Sequence, residues 1–199
     1  MVSVAAAHIL DPLCYILSDF KSLNATTAIT FPTMQFVGAD GKKDPPIERK
    51  FADWISVQGA LEGGIMANSV ISFTTDATPD RLEWIISGEK GSLKFDGPSV
   101  LIGYGQPTLY QFTPGQGAKW EEVKVDSAMF GGIGEVYAAY ADGKEGFVDF
   151  EGAVQRHKMV EAIYRSAEKG TRESYWTVMN VRLGRGCRNS MKKSAQMGL

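Results

Sequence analysis

The chain opens with a short apolar run and then alternates for more than a hundred residues. In "HILDPLCYIL", residues 8–17, Asp11 suits an N-cap and Pro12 the first helical position, where a missing N–H costs nothing. A short helix ending near Ser18 is predicted. Residues 20–37, "FKSLNATTAITFPTMQFV", are rich in Thr, Phe, Val and Ile and predict one long strand, bent at Pro32. The charged, Gly- and Pro-bearing "GADGKKDPPIERK" predicts a surface loop.

Alternation then continues. "DWISVQGAL" places Ile55, Val57 and Leu61 on one face, "EGG" turns, and "IMANSVISFTT" aligns Ile65, Ala67, Ile71 and Phe73, so a hairpin is predicted. "RLEWIISG" alternates Leu82, Trp84 and Ile86 with Arg81, Glu83 and Ser87, and "GEKG" turns it into "SLKFDG". "SVLIGYG", "TLYQFT" and "KWEEVKV" add strands to a large, mainly antiparallel open sheet. The period lengthens again near the end. "IGEVYAAYADGK" reads as a helix stopped by Gly143, and "DFEGAVQRHKMVEAIYRSAEKG" as a long helix whose stripe is Val154, Met159, Val160, Ile163, Tyr164 and Ala167, stopped by Gly170. The predicted class is α+β, with helices covering one face of the sheet. The other face, if it carries Trp54, Ile55 and Val57, calls for a partner, and a homodimer through that face is expected.

Composition narrows the function classes. At 199 residues and 44% hydrophobic, the chain can bury one sizeable core. Its formal charge of -2, from 21 basic and 23 acidic residues, gives no reason to expect nucleic acid. Cys14 and Cys187 stand alone, without CxxC or Cys/His spacing, so neither a disulfide framework nor a zinc site is predicted. No membrane span or signal peptide is read, and a cytoplasmic protein is expected, or a nuclear one if it is a regulator.

Candidate chemistry is sparse. His8 is the histidine placed at a helix start; its bland reading is a polar helix-terminal residue, and it is weighed as a catalytic base below. His157, between Arg156 and Lys158, reads as a solvated helix residue. Lys90, in its turn, could reach an anion but reads as solvated. Trp54, Trp84, Tyr104, Tyr110 and Trp120 are candidates to line a sugar-binding face, although strand packing explains them more simply. "GGIGEVY", "GYGQPT" and "GRGCRN" fail as dinucleotide loops, for want of a third small residue, a following helix or a preceding strand. The final stretch carries Arg182, Arg185, Arg188, Lys192 and Lys193 without an acid; residues 175–199 are expected to be a disordered basic tail beyond a domain spanning 1–174.

From Ala7 to Gly170 the chain resembles the C-terminal domain of the Gfo/Idh/MocA oxidoreductase family, in "HILDPLCYIL", "VQGALEGGIMANSVISF", "IISGEKGSLKFDG", "GEVYAAYADGK" and "FEGAVQRHKMVEAIYRSAEKG" taken in order. "HILDPLCYILSDFKSLNAT" and "ADWISVQGALEGG" look most like the fungal galactose-regulon repressor and its oxidoreductase-like relatives. The resemblance implies a full-length protein with an N-terminal Rossmann domain for NAD(P), which this chain lacks; no cofactor is therefore expected in the chain itself. It also implies that His8 stands where the family's enzymes hold a catalytic base, with Val4 where a carboxylate is expected. The chain opens at the family's strand-to-helix junction, as a truncated reading frame would. Three functions are expected to compete: a substrate and dimerisation domain of the galactose-repressor type, binding a protein partner or a sugar and not catalytic alone; the substrate half of an NAD(P)-dependent sugar oxidoreductase acting on a CH–OH group; and a nonfunctional fragment.

Overall fold

A computed structural model describes Val4 and residues 6–72, 81–99, 107–124, 131–144 and 149–175. They belong to two compact units, one built from the N-terminal stretch and residues 149–176, the other from the segment between.

In the first unit, helix α1 (Ala7–Leu17) is followed by β1 (Phe20–Ala28), β2 (Thr33–Met34), β3 (Ile47–Glu48), β4 (Trp54–Leu61) and β5 (Met66–Ser72); the long helix, α3 (Phe150–Lys169), closes it. Strands β1, β4 and β5 form an antiparallel sheet in that order, and β2 pairs with β3. Ile55, Val57 and Leu61 share the face against which α3 packs, and all are buried with Phe20, Leu23, Met159 and Ile163. Alternation across one covered face accounts for this, as the sequence implies. Gly59 lies on the same face beside an irregularity in β1 between Phe20 and Ser22. A Cβ there would meet the Ser22 carbonyl oxygen at 2.1 Å, so the two strands come together only over a glycine.

Helix α3 has both of its stops in the sequence. Asp149 caps it by accepting from the Gly152 N–H at 2.7 Å, and Gly170 ends it in the left-handed region at φ 65°. Its stripe is rotated from the predicted one: Ala162 and Ser166 are buried with Met159, Val160 and Ile163, whereas Val154 and Tyr164 are exposed. The reason is Ser166, whose hydroxyl accepts from the Ala25 N–H (2.8 Å) and donates to the Thr171 carbonyl (2.6 Å), turning a polar position toward the sheet.

Several other expectations need correction. Asp11 is not the N-cap of α1, and Pro12 lies inside the helix, which begins at Ala7 with Val4 and Ala6 already in a π-helical turn. Alanine favours helix strongly enough to carry it upstream of the cap-like pair, although Pro12 cannot donate to the His8 carbonyl four residues back. The strand expected over 20–37 stops at Ala28 and resumes at Thr33, and the loop expected over 38–50 contains β3. Of the three residues expected on one face, Ile55 and Val57 are buried on the side of α3, and Trp54 lies on the opposite face. That face presents Asn24, Thr26, Ser56, Gln58 and Asn68 beside Trp54, Met66 and Val70, of which Met66 and Val70 are exposed.

The β1–β2 break is organised by Asp53. Its carboxylate is fully buried and accepts from the Thr30 N–H (2.7 Å), the Thr30 hydroxyl (2.8 Å) and the Phe31 N–H (2.9 Å). Arg49 stands 3.6 Å away and also lies over the Phe51 ring. With Pro32 unable to donate, these bonds take the backbone groups a continuous strand would have paired.

The second unit is a meander of β6 (Leu82–Gly88), β7 (Gly91–Gly97), β8 (Thr108–Phe112) and β9 (Trp120–Val123), with α2 (Gly131–Ala141) in the same unit. The β6–β7 hairpin turns through Glu89 and Lys90, and Gly143 follows α2 at φ 64°, both as the sequence implies. "SVLIGYG" beyond Ser99, and the basic tail beyond Tyr175, lie outside the described residues.

Burial works to raise the Asp53 pKa, yet the Thr30 and Phe31 bonds and the Arg49 charge outweigh it and hold the carboxyl below its ordinary value. A depressed folded pKa contributes stability that is complete above the unfolded value, near pH ~4, and is lost as pH falls through the folded one. Asp53→Asn is therefore expected to lose about 2–4 kcal/mol of unfolding free energy at neutral pH, because an amide N–H₂ then faces donors. In urea titrations the gap between variant and wild type should narrow below pH ~4; a gap constant with pH contradicts the assignment.

Candidate functional site

Helix α1 turns Ile9, Leu10 and Cys14 inward and leaves Val4, His8 and Tyr15 on its outer stripe, spaced by four and seven residues. His8 is exposed and makes no hydrogen bond or ion pair among the described residues. Val4, one turn earlier, is 61% exposed, and Tyr15 is 68% exposed. An imidazole acting as a base needs a partner on its second nitrogen to set its tautomer. The carboxylate nearest in sequence, Asp11, is engaged elsewhere.

That engagement is with Arg156 of α3, whose Nε lies 2.9 Å from Asp11 Oδ1 and whose Nη1 pairs with Asp19 Oδ1. Asp19 Oδ1 and Arg156 Nη1 are buried without a hydrogen-bond partner among the described residues, so each answers the other as a charge. Cys14 sits against this group with its Sγ 3.8 Å from Met159 Sδ. Burial pushes the Cys14 thiol up to about 12, against the pull of Arg156. Tyr175, beyond the end of α3, is buried too; its hydroxyl accepts from the Phe20 N–H at 3.0 Å, and burial raises its pKa. The cluster is protonated at its thiol and phenol and ion-paired at its carboxylates. Burial thus works against forming a thiolate or phenolate here.

Arg156 and Asp53 carry no local signal, and the sequence reading passes over both. Their partners are distant in the chain or supplied by the backbone.

The other candidates are dispersed. His157 is exposed on α3, and Lys90 stands in the exposed β6–β7 turn. Trp54 lies in the first unit; Trp84, Tyr110 and Trp120 lie in the second, and Tyr104 is outside the described residues. In the second unit the rings serve the sheet: Trp84 lies 6.1 Å from Phe95, Phe112 lies 5.6 Å from Trp120, and Lys94 Nζ sits 4.6 Å from the Tyr110 ring. Among the described residues no three His, Cys, Asp or Glu side chains converge as metal ligands, and no helix is long and apolar enough to cross a membrane. A dinucleotide cradle needs a strand, a glycine loop and a helix in a parallel unit. The described ladders are all antiparallel, and Tyr137 fills the third small position after Gly132 and Gly134, so these residues do not fit one.

Residues 1–97 match the family model described as Gal80p, C-terminal domain. Dehydrogenase aclE of Aspergillus oryzae is 33% identical over 178 residues, which make up 88% of this chain and 48% of that protein. The chain thus spans about half the length of the curated relative it matches. The crystal structure of a super-repressor mutant of Gal80p from Saccharomyces cerevisiae superposes with a TM-score of 0.76 at 20% identity, over 90% of this chain and 52% of that one. The transcriptional regulator Gal80p from Kluyveromyces lactis gives 0.71 at 25% identity, over 87% and 45%. Levoglucosan dehydrogenase, in complex with NADH and levoglucosan, gives 0.66 at 15%, over 87% and 49%. The helix-covered antiparallel sheet is thus a fold shared with repressors and dehydrogenases alike.

With Cys187→Ser as background, Cys14 should react with a thiol-specific reagent at pH ~8 at least about a hundredfold more slowly in the folded chain than in urea, since only the thiolate attacks. Equal rates contradict its burial.

Proposed function

We propose, from the match of residues 1–97 to the Gal80p C-terminal domain, that the chain is the substrate- and partner-contact half of a Gal80p-like protein, with no hydride transfer of its own. The observation that carries the reading is the outer stripe of α1. His8 has Val4 in place of a carboxylate one turn back, while the carboxylate one turn ahead is bound to Arg156. Oxidation of a carbinol needs a base that removes the hydroxyl proton as hydride leaves, and an imidazole with no orienting partner is poorly placed to do so. A nicotinamide, when bound by a companion Rossmann domain, would supply the hydride acceptor. What this chain contributes is a wall: a rigid helix anchored beneath by Arg156, with His8 and Tyr15 as its projecting groups.

A second reading has its own support. The 33% identity to a dehydrogenase and the accessibility of His8 favour a substrate half that becomes active once joined to its cofactor domain.

The two separate experimentally. The chain is fused behind the N-terminal half of the Aspergillus relative and assayed for NAD(P)⁺ reduction with aldoses and anhydrosugars. The first reading expects no reduction above that half alone and no change on His8→Ala. Reduction that falls a hundredfold or more on His8→Ala overturns it in favour of the dehydrogenase half.

A further inference from the structure

Between the end of β1 and the start of β4 the chain leaves the three-stranded sheet as an arm, residues 29–53, built on the β2–β3 pair. Its root is held firmly. Asp53 accepts from the Thr30 and Phe31 N–H groups, and the Arg49 N–H donates to the Pro32 carbonyl at 2.9 Å. Further out, Met34 is opposite Ile47 and Val37 is opposite Lys43, which leaves Gln35 and Phe36 facing Asp44, Pro45 and Pro46. The mismatch is closed on the arm itself. The Asp44 N–H donates to the Phe36 carbonyl at 2.9 Å, and Gln35 Nε2 donates to the Asp44 carbonyl at 3.0 Å.

The side chains on this ordered ribbon are left bare. Alternation sets Phe36 on the face shared by Met34 and Ile47, and Phe36 is 56% exposed and Ile47 45%. Ile29, Phe31 and Phe51 are exposed at the root, and Val37 on the other face. A two-stranded ribbon is marginal in water unless something packs on its apolar face. That element meets the face and not an edge, because β2 and β3 are two residues each and Pro45 and Pro46 have no N–H to offer a further strand. Charge then chooses among occupants. Asp40 pairs with Lys42 at 3.2 Å and Arg49 faces Asp53; Lys43, Lys50, Asp44 and Glu48 form no ion pair among the described residues, and their charges cancel. An acidic peptide, a nucleic acid or an anionic membrane finds no net positive field here. A second copy brings the same apolar face and the same cancelling charges, so it is matched without repulsion, as a contact across a two-fold axis requires. The anchored root also means that little freedom is lost on docking.

We propose that the β2–β3 arm is a self-association surface, on which two copies of the chain meet arm to arm with Phe36 and Ile47 at the centre of the contact. The arm lies beyond the ends of β1 and β4, so the contact is separate from both faces of the three-stranded sheet. It does not rest on the reading of His8.

The test is sedimentation equilibrium of the whole chain over a wide range of concentration, for wild type, Phe36→Asp, Ile47→Asp and a control on the outer side of α3, Tyr164→Asp. All three side chains are exposed, so circular dichroism should be unchanged in every variant. Whatever other contacts the chain makes, wild type should show an association step that Phe36→Asp and Ile47→Asp each weaken at least about tenfold and that Tyr164→Asp leaves alone. A second measurement locates the contact. With Cys187→Ser as background, a short bismaleimide should join Thr33→Cys, exposed on the ribbon, to its counterpart in the second copy. Three results overturn the proposal: no such association step, a step insensitive to both arm substitutions, or an associated Thr33→Cys chain that is not joined arm to arm.

Discussion

One guanidinium holds the first unit together. Arg156 projects from α3 and meets Asp11 of α1 and Asp19 at the start of β1, so one ion-paired group joins three segments that are far apart in the chain. Half-buried charges are expensive to leave alone, and each member of the group keeps the others in place. Around it the sequence supplies protonated, desolvated side chains. Cys14 and Tyr175 are held neutral by burial, and Tyr175 fixes the Phe20 N–H where β1 begins. The inner face of α1 is thereby defined, and with it the outer stripe on which His8 stands.

The sheet below α3 is governed by the same demand that buried backbone groups find partners. Ser166 satisfies Ala25, Asp53 satisfies Thr30 and Phe31, and Glu173 lends its backbone to Leu23. Gly59 provides the room for β1 to pass close over β4. Each of these is a single residue doing what no neighbour could. Together they seat the sheet against α3 on its apolar, covered face.

Much of this was readable from the chain. Period-two alternation put Ile55, Val57 and Leu61 on one face, and Gly143, Gly170 and the Glu89–Lys90 turn marked element ends, because these signals act over a few residues. The errors share a cause. Asp11 and Pro12 look like a helix start, yet Asp11 was recruited by an arginine 145 positions away and the helix ran upstream through alanines. The break before Thr33 depended on Asp53, whose partners hydrophobic pattern does not encode. His8 was legible as a position but not as a role: its significance lies in what Val4 is not and where Asp11 is bound.

The chain shares its fold with regulators and dehydrogenases, and the reading proposed for His8 rests on the arrangement under α1. If Arg156 fixes Asp11 and Asp19, the helix is a rigid wall with no acid to lend its histidine. The most direct measurement is a double-mutant cycle on urea unfolding with wild type, Arg156→Met, Asp19→Asn and the double variant. A coupling energy of about 1–3 kcal/mol is expected between the two positions. Losses that add to within about 0.3–0.5 kcal/mol would show that the charges do not hold each other, and the anchored wall would have to be abandoned.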